Sequence, residues 1–273
     1  MIPPDPPHEN IFLELGEVIN FALNEAGFDS VLQFWGIDKE RINILIGWHQ
    51  VGSTEAISNL PANTILLNTE QISEDTKDWG SDLTKNLQWV KSFQTWDYSA
   101  KNIQSFENLG ISNVKHLKLG YQKELARIQK LTKDIDVLFY GAVNERRGMV
   151  IQGLRDLGLN VVTVHGAYGQ ERDHLIARSK IVLNMHFYKS QIFESVRVFY
   201  LLTNSVAVVG EVNQGTTIDS HLLGAIHASK YEDLVMSCFE LIKDDARRQA
   251  LEINAGNKFS KFLQANFLRA LIS

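Results

Sequence analysis

The chain has 273 residues, 44% of them hydrophobic and 22% charged, with a formal net charge of -5. Those proportions exclude a disordered chain and suit two domains of about 100–150 residues each. The acidic balance excludes the basic stripe of a duplex nucleic-acid binder, and the lone cysteine, Cys238, can form no intrachain disulfide and points to a reducing, cytoplasmic setting.

In chain order, Pro3, Pro4, Pro6 and Pro7 predict an extended arm, and the opening MIPPDPPHEN lacks the basic and apolar regions of a signal peptide. No stretch approaches the ~20 apolar residues that span a bilayer, which leaves peripheral membrane contact open. Apolar spacing over Ile11–Ala26 predicts a helix ended by Gly27. Ile42–Gly47 and Thr64–Asn68 read as buried parallel strands, with residues 51–61 as a short crossover helix between them. After Asp82 a helical stretch leads into Val90–Phe93 and Thr95–Tyr98, read as a strand and its outgoing loop. Ser99 caps a helix that closes before Gly110, and Val114–Leu119 is the next strand.

A polar helix is expected over Gln122–Lys133. Beyond it, strands Val137–Tyr140, Val161–His165, Ile181–Met185 and Val206–Val209 alternate with helices Arg147–Leu157, Gln170–Ser179 and Phe193–Thr203. Helices Tyr231–Asp244 and Arg247–Phe267 follow. Strands separated by single helices predict an α/β fold with two Rossmann-like, parallel-sheet domains. The expected division is 1–125 and 126–254, with a last helix, 255–273, packing back on the first domain.

Ligands of open parallel sheets bind beyond the carboxyl ends of the strands, so the residues that follow strands are the candidates. Gly141, Asn144, Arg146 and Arg147 offer a close backbone approach, a helix N-terminus and charged forks for a phosphate; the plainer alternative is a glycine turn with solvated arginines. His165 and Tyr168 lie on the next such loop and could line a base or sugar pocket. Asn184, His186 and Tyr188 follow the third strand, with His186 read either as a donor to phosphate or sugar oxygens or as a histidine satisfied at a strand end. Glu194, Ser195 and Arg197 open the next helix, where a carboxylate can accept ribose hydroxyls and an arginine can balance phosphate. Glu211 ends the last strand, facing the donor sugar or capping a turn. Asp134-Ile135-Asp136 precedes a strand and reads as strand-entry polarity, and Cys238 reads as a packed helix face. GxxxxGK phosphate loops, GxGxxG, GxSxG and HExxH are all absent, which counts against dinucleotide enzymes, serine hydrolases and zinc peptidases.

Residues 134–211 resemble the donor domain of GT-B glycosyltransferases, in particular small bacterial family-1-type and CgeB-like enzymes. DVLFYGAVNERR is similar to the start of that domain, LIARSKIVLNMHFY to its hidden strand, and FESVRVFYLLTNSVAVVGE to its donor helix and strand, with Glu194, Arg197 and Glu211 at matching positions. ILLNTEQI, WDYSAKN and LGY are family-like pieces of the first half. The chain departs from the family at Tyr200, where many relatives carry a glutamate associated with the nucleotide ribose.

The resemblance implies transfer of a sugar from a nucleotide-sugar donor to an unknown acceptor in an interdomain cleft. The nucleotide sugar is then a co-substrate, and no cofactor or metal is expected. Arg146, Arg147, Arg197 and His186 would hold the departing diphosphate, and His49, Glu70 and Asp97 are the candidates for an acceptor-side base. Tyr200 keeps a second expectation alive, a catalytically inactive nucleotide- or sugar-binding module of the same fold.

Overall fold

The structure is a computed structural model describing residues 8–34, 36–50, 59–72 and 83–272. The proline-rich arm and residues 51–58 of the expected crossover helix lie outside the described residues. The chain divides into two compact units, Met1–Lys118 with Gln264–Ser273, and Leu119–Leu263.

In the first unit, α1 (His8–Ile11) leads into α2 (Leu13–Glu25), which buries Leu15, Val18, Ile19, Ala22 and Leu23 at helical spacing. Gly27, at φ 96°, takes the left-handed conformation that ends it. Strands β1 (Ile44–Ile46), β2 (Ile65–Asn68), β3 (Gln94–Asp97) and β4 (Val114–His116) pair in parallel in that order. One face of this sheet carries Leu45 and Leu66 into a core with Trp48, Trp89, Val90 and Phe106.

Val90–Phe93 is not a strand. The run closes helix α3 (Leu83–Ser92), which buries Trp89 and Val90, and the chain reaches β3 only at Gln94. A short apolar run fits a buried helix end as well as a strand. Helix α4 (Ala100–Asn108) has the expected cap, with the Ser99 hydroxyl accepting from Asn102 N at 3.3 Å. Helix α11 (Gln264–Ile272) completes this unit and packs on α2.

The second unit contains β5 (Ile135–Tyr140), α5 (Glu145–Asp156), β6 (Val161–Val164), α6 (Gly169–Ala177), β7 (Ser179–Asn184), α7 (Ser195–Thr203) and β8 (Val208–Glu211). It ends with α8 (Ser220–Leu223), β9 (His227–Ser229), α9 (Leu234–Lys243) and α10 (Asp245–Phe259). All pairings are parallel in the order β6-β5-β7-β8-β9. The chain moves outward from β5 to β6, then returns to the other side of β5 as β7. The order therefore reverses between β5 and β7, and a crevice opens beyond their carboxyl ends, where doubly wound sheets bind ligands. Val137, Phe139, Ile181, Leu183, Val150, Leu154, Leu234 and Cys238 fill one face of this sheet. The Cys238 thiol is fully buried, and burial pushes its pKa up to about 12, which leaves it an inert packing group.

Gln122–Lys133 is not a helix beyond a 3-10 turn at Lys123–Leu125. Asn204 holds this segment instead: its Oδ1 accepts from Arg127 N and Ile128 N at 2.8 and 2.9 Å, and its Nδ2 donates to Leu125 O at 2.9 Å. The helix expected over Arg247–Phe267 is broken into α10 and α11. Among the described residues no helix is long and apolar enough to cross a membrane.

Candidate active site

In the second unit, β5 ends at Tyr140 and the chain turns at Gly141, whose φ of 131° strains any side-chain-bearing residue. A Cβ there would stand 3.0 Å from Arg197 Nη2 and 3.9 Å from Arg147 Nη1, so the glycine marks where two guanidinium groups converge. Asn144 caps α5, accepting from Arg147 N at 3.0 Å while its amide donates to Phe187 O at 3.0 Å. The cap thus ties the loop after β5 to the loop after β7.

The three arginines at this edge have different uses. Arg147 is buried, and its guanidinium donates to Ala142 O at 2.8 Å, to His186 O at 3.2 Å and to Met185 O. It lies between the rings of Phe139 and Phe187, 5.1 and 5.0 Å from their centres, with the Glu194 carboxylate 3.9 Å away. Burial, then the nearby Arg197 charge, lowers its pKa to about 10. Arg146 forms a two-pronged ion pair with Glu211, one arm at 2.8 Å, and stacks 3.8 Å from the centre of the Tyr231 ring.

Arg197, in the first turn of α7, has no carboxylate partner among the described residues. Its Nη1 donates to Asn184 Oδ1 at 3.1 Å, and its guanidinium lies 4.9 Å from the centre of the Tyr140 ring. Asn184 is fully buried at the end of β7, and its Nδ2 has no partner among the described residues. Glu194 occupies the cap position of α7 without a side-chain capping bond, and Ser195 is buried in the first turn.

Glu211 is fully buried. It also accepts from His186 N at 3.0 Å and Asn213 Nδ2 at 2.6 Å. Burial favours its neutral form, but Arg146 and His186 outweigh that and hold its pKa below the usual range. His186 places Nδ1 3.1 Å from Ile192 O and Nε2 3.0 Å from Thr216 Oγ1. Both ring nitrogens are thus held inside the protein, and burial lowers the ring's pKa. The carbonyl at Nδ1 fixes the proton there, so Nε2 accepts from the threonine hydroxyl.

Gly141, Asn144, Arg146, Arg147, Asn184, His186, Glu194, Ser195, Arg197 and Glu211 therefore gather at the carboxyl ends of β5, β7 and β8. Tyr188 follows the same strand and packs edge-on to Phe187 at 4.8 Å. His165 is exposed and Tyr168 half-buried on the loop after β6, and neither makes a hydrogen bond to this cluster. Tyr200 is buried in α7, donates to Asp173 Oδ2 at 2.7 Å and accepts from Arg127 Nε at 3.2 Å. Asp134 and Asp136 bind Arg178 and Lys180, which bears out their reading as strand-entry residues. Tyr140, Asn213, Thr216 and Tyr231 are contributors that sequence reasoning missed. Nothing in their own neighbourhoods marks them, because their partners lie on other elements.

In the first unit, His49 and Glu70 follow β1 and β2, with His49 Nε2 3.2 Å from Glu70 Oε1. Asp97 ends β3, fully buried. It accepts from Asn68 Nδ2 and Ser99 N, each at 2.7 Å, and from Asn102 Nδ2 at 3.0 Å. The same two asparagine amides donate to Glu70 O at 2.9 and 2.8 Å, which shapes the loop carrying Glu70. Burial raises the Asp97 pKa to about 7 despite those donors. Asp97 is thus the organiser of this cluster and not its exposed member.

No protein-family model matches the chain. Two proteins of Acanthamoeba polyphaga mimivirus are similar in sequence. Uncharacterized protein L140 is 28% identical over 190 residues, 67% of this chain and 60% of that protein. Uncharacterized protein L137 is 25% identical over 220 residues, 75% of this chain and 28% of that protein. The chain thus spans less than two thirds of the length of each of these relatives.

Among solved structures, TarM superposes with a TM-score of 0.60 at 12% identity, over 86% of this chain and 54% of that one. Alr3699/HepE of Anabaena, in complex with UDP and glucose, gives 0.58 at 11% identity over 98% and 83%. A sucrose-phosphate synthase from Thermosynechococcus elongatus gives 0.54 at 11% over 98% and 79%. The chain has the GT-B fold. Two parallel sheets flanked by helices, seen in the sequence as alternating strands and helices, are the basis of that likeness.

Proposed function

We propose that the chain is a glycosyltransferase that moves a hexose from a nucleoside-diphosphate donor to an acceptor hydroxyl. The observation that carries this reading is Arg197, a cation without an acidic partner among the described residues, converging with Arg147 on Gly141 at the point where the strand order reverses. Two guanidinium groups whose charges oppose each other across a glycine favour an anion between them. The α7 N-terminus adds amide groups without a side-chain cap. A diphosphate bound there would be stabilised as the sugar–oxygen bond breaks and the electron pair departs with the leaving group. Arg197 is the working cation in this reading, because Arg146 is neutralised by Glu211 and Arg147 is spent on carbonyl groups. Leaving-group charge is carried by these groups without a metal. Two structures sharing the fold fit the donor class, HepE in complex with UDP and glucose, and a mutant of S. aureus TarM in complex with UDP and alpha-GlcNAc-glycerol.

On the acceptor side, Glu70 takes the hydroxyl proton, and the His49 imidazole, whose Nε2 lies 3.2 Å from Glu70 Oε1, orients the carboxylate. Asp97 positions the Glu70 loop. A panel of nucleoside-diphosphate hexoses, assayed for transfer and hydrolysis, tests the reading. Glu70→Gln should lower turnover by about 100-fold while UDP affinity stays unchanged. Saturable UDP binding without turnover of any donor would favour a non-catalytic binding module, which the internally bonded Tyr200 hydroxyl also fits.

A further inference from the structure

The face of the first sheet turned towards α2 does not close against that helix. The pairing register places Ile44 and Ile46 of β1, Ile65 of β2 and Trp96 of β3 on this face. Together with Ile19 and Leu23 of α2 they wall a cavity of about 390 Å³. Arg41, Ile42 and Asn43, which precede β1, line it as well, so it opens at the amino-terminal side of the strands. His49, Glu70 and Asp97 follow the carboxyl ends. The cavity is therefore separate from the candidate catalytic residues and independent of the reading built on them.

Its mouth is apolar and pre-shaped. Phe28, Val31, Ile42 and Ile272 line it while remaining 45, 64, 63 and 37% exposed. Single exposed apolar residues need no explanation, but four around one opening form a patch that marks a ligand site. Both rim loops are pinned. Asn24 Nδ2 donates to Ser30 O and Ser30 Oγ to Asn20 Oδ1, each at 2.9 Å, while Asn43 Nδ2 donates to Asp38 O at 2.8 Å and Arg41 O at 2.9 Å. Collapse of the loops into the space would break these bonds.

Among the described lining residues the charges at the opening are Asp29, Asp38 and Arg41, with Arg41 2.7 Å from Asp29 and 3.5 Å from Asp38. One guanidinium between two carboxylates leaves a net negative rim, which repels an anionic head group.

We infer that this cavity binds a neutral small molecule through an aliphatic chain. Its volume falls within the about 300–1,000 Å³ of small-ligand pockets. Its concave apolar walls suit a flexible chain, and its rim selects against carboxylate and phosphate heads. Isothermal titration of the full chain with 1-alkanols from hexanol to dodecanol, and with decanoate, tests this. Affinity should rise about fourfold per added methylene until the chain outgrows the cavity, and then level off. Decanoate should bind about tenfold more weakly than decanol at neutral pH.

Ile42→Asp, at an exposed rim position, should weaken decanol binding about tenfold with the melting temperature preserved. Converting both Asp29 and Asp38 to asparagine leaves Arg41 as the only charge among the described lining residues and should bring decanoate to at least the affinity of decanol. Absence of saturable binding, equal affinity for alcohol and anion in the wild type, a rise with chain length that never levels, or self-association that excludes decanol would each overturn the proposal.

Discussion

The two units present their strand ends on similar loops but hold those loops with opposite charges. In the first, the buried centre is a carboxylate, Asp97, which gathers Asn68, Asn102 and the Ser99 amide. In the second it is a guanidinium, Arg147, which gathers the carbonyl groups of Ala142, Met185 and His186. An acceptor-rich centre leaves a histidine–glutamate pair at its loops, and a donor-rich centre leaves a further arginine. The first arrangement is suited to taking a proton and the second to holding an anion. In both, a buried charge fixes geometry while partly exposed neighbours remain for chemistry.

Removing the buried centres should produce the largest effects. Arg147→Ala removes a buried donor shared by three carbonyl groups, of which only that of His186 keeps a second side-chain donor, Arg146, and should cost about 3 kcal/mol or more in urea denaturation. Arg147→Lys should restore little of that, since an ammonium cannot reproduce the planar fork. A loss below ~0.5 kcal/mol would show that Arg147 does not hold the loops together.

Asp97 should show its role in the pH dependence of stability. Its folded pKa of about 7 lies above the ordinary aspartate value of 3.8, so between those values the folded chain binds more protons than the unfolded one. The contribution of Asp97 is therefore full at acid pH and declines as pH rises towards about 7, by at most about 1.4 kcal/mol per pH unit. Subtracting the Asp97→Asn profile from the wild-type profile isolates this slope. A difference that does not change with pH would remove the assignment.

A smaller effect is expected at Gly141. Gly141→Ala meets an unfavourable φ and a Cβ position 3.0 Å from Arg197, so it should cost about 1–2 kcal/mol. It should also weaken UDP binding by displacing the Arg197 guanidinium. Unchanged UDP affinity in a folded Gly141→Ala chain would separate this turn from the anion site.

The alternation of strands and helices was legible in the sequence because each element carries its own periodicity, and the cap residues Ser99 and Asn144 carry their own hydrogen-bonding logic. Errors arose where distant partners decide the outcome. Gln122–Lys133 has helical composition, but Asn204 captures its amide groups from more than 70 residues away. Strand β9 has only three residues, too few for a period, and is ordered by pairing with β8.

Candidate site residues were found as a set, since the carboxyl ends of parallel strands are recognisable in the sequence, but their division of labour was not. Arg146, Arg147 and Arg197 are alike on paper. Glu211 neutralises the first, carbonyl groups from two loops surround the second, and the third is left to Asn184 and an aromatic ring. His186 is a similar case, because Thr216 and Ile192 occupy its ring from another loop.

Calorimetric titration of UDP into the wild-type chain and into Arg197→Ala tests the central claim most directly. Saturable binding to the wild type is expected, with affinity falling at least about tenfold in the variant while its stability stays within about 1 kcal/mol. Equal UDP affinity in the two chains would contradict the claim that Arg197 holds the donor diphosphate.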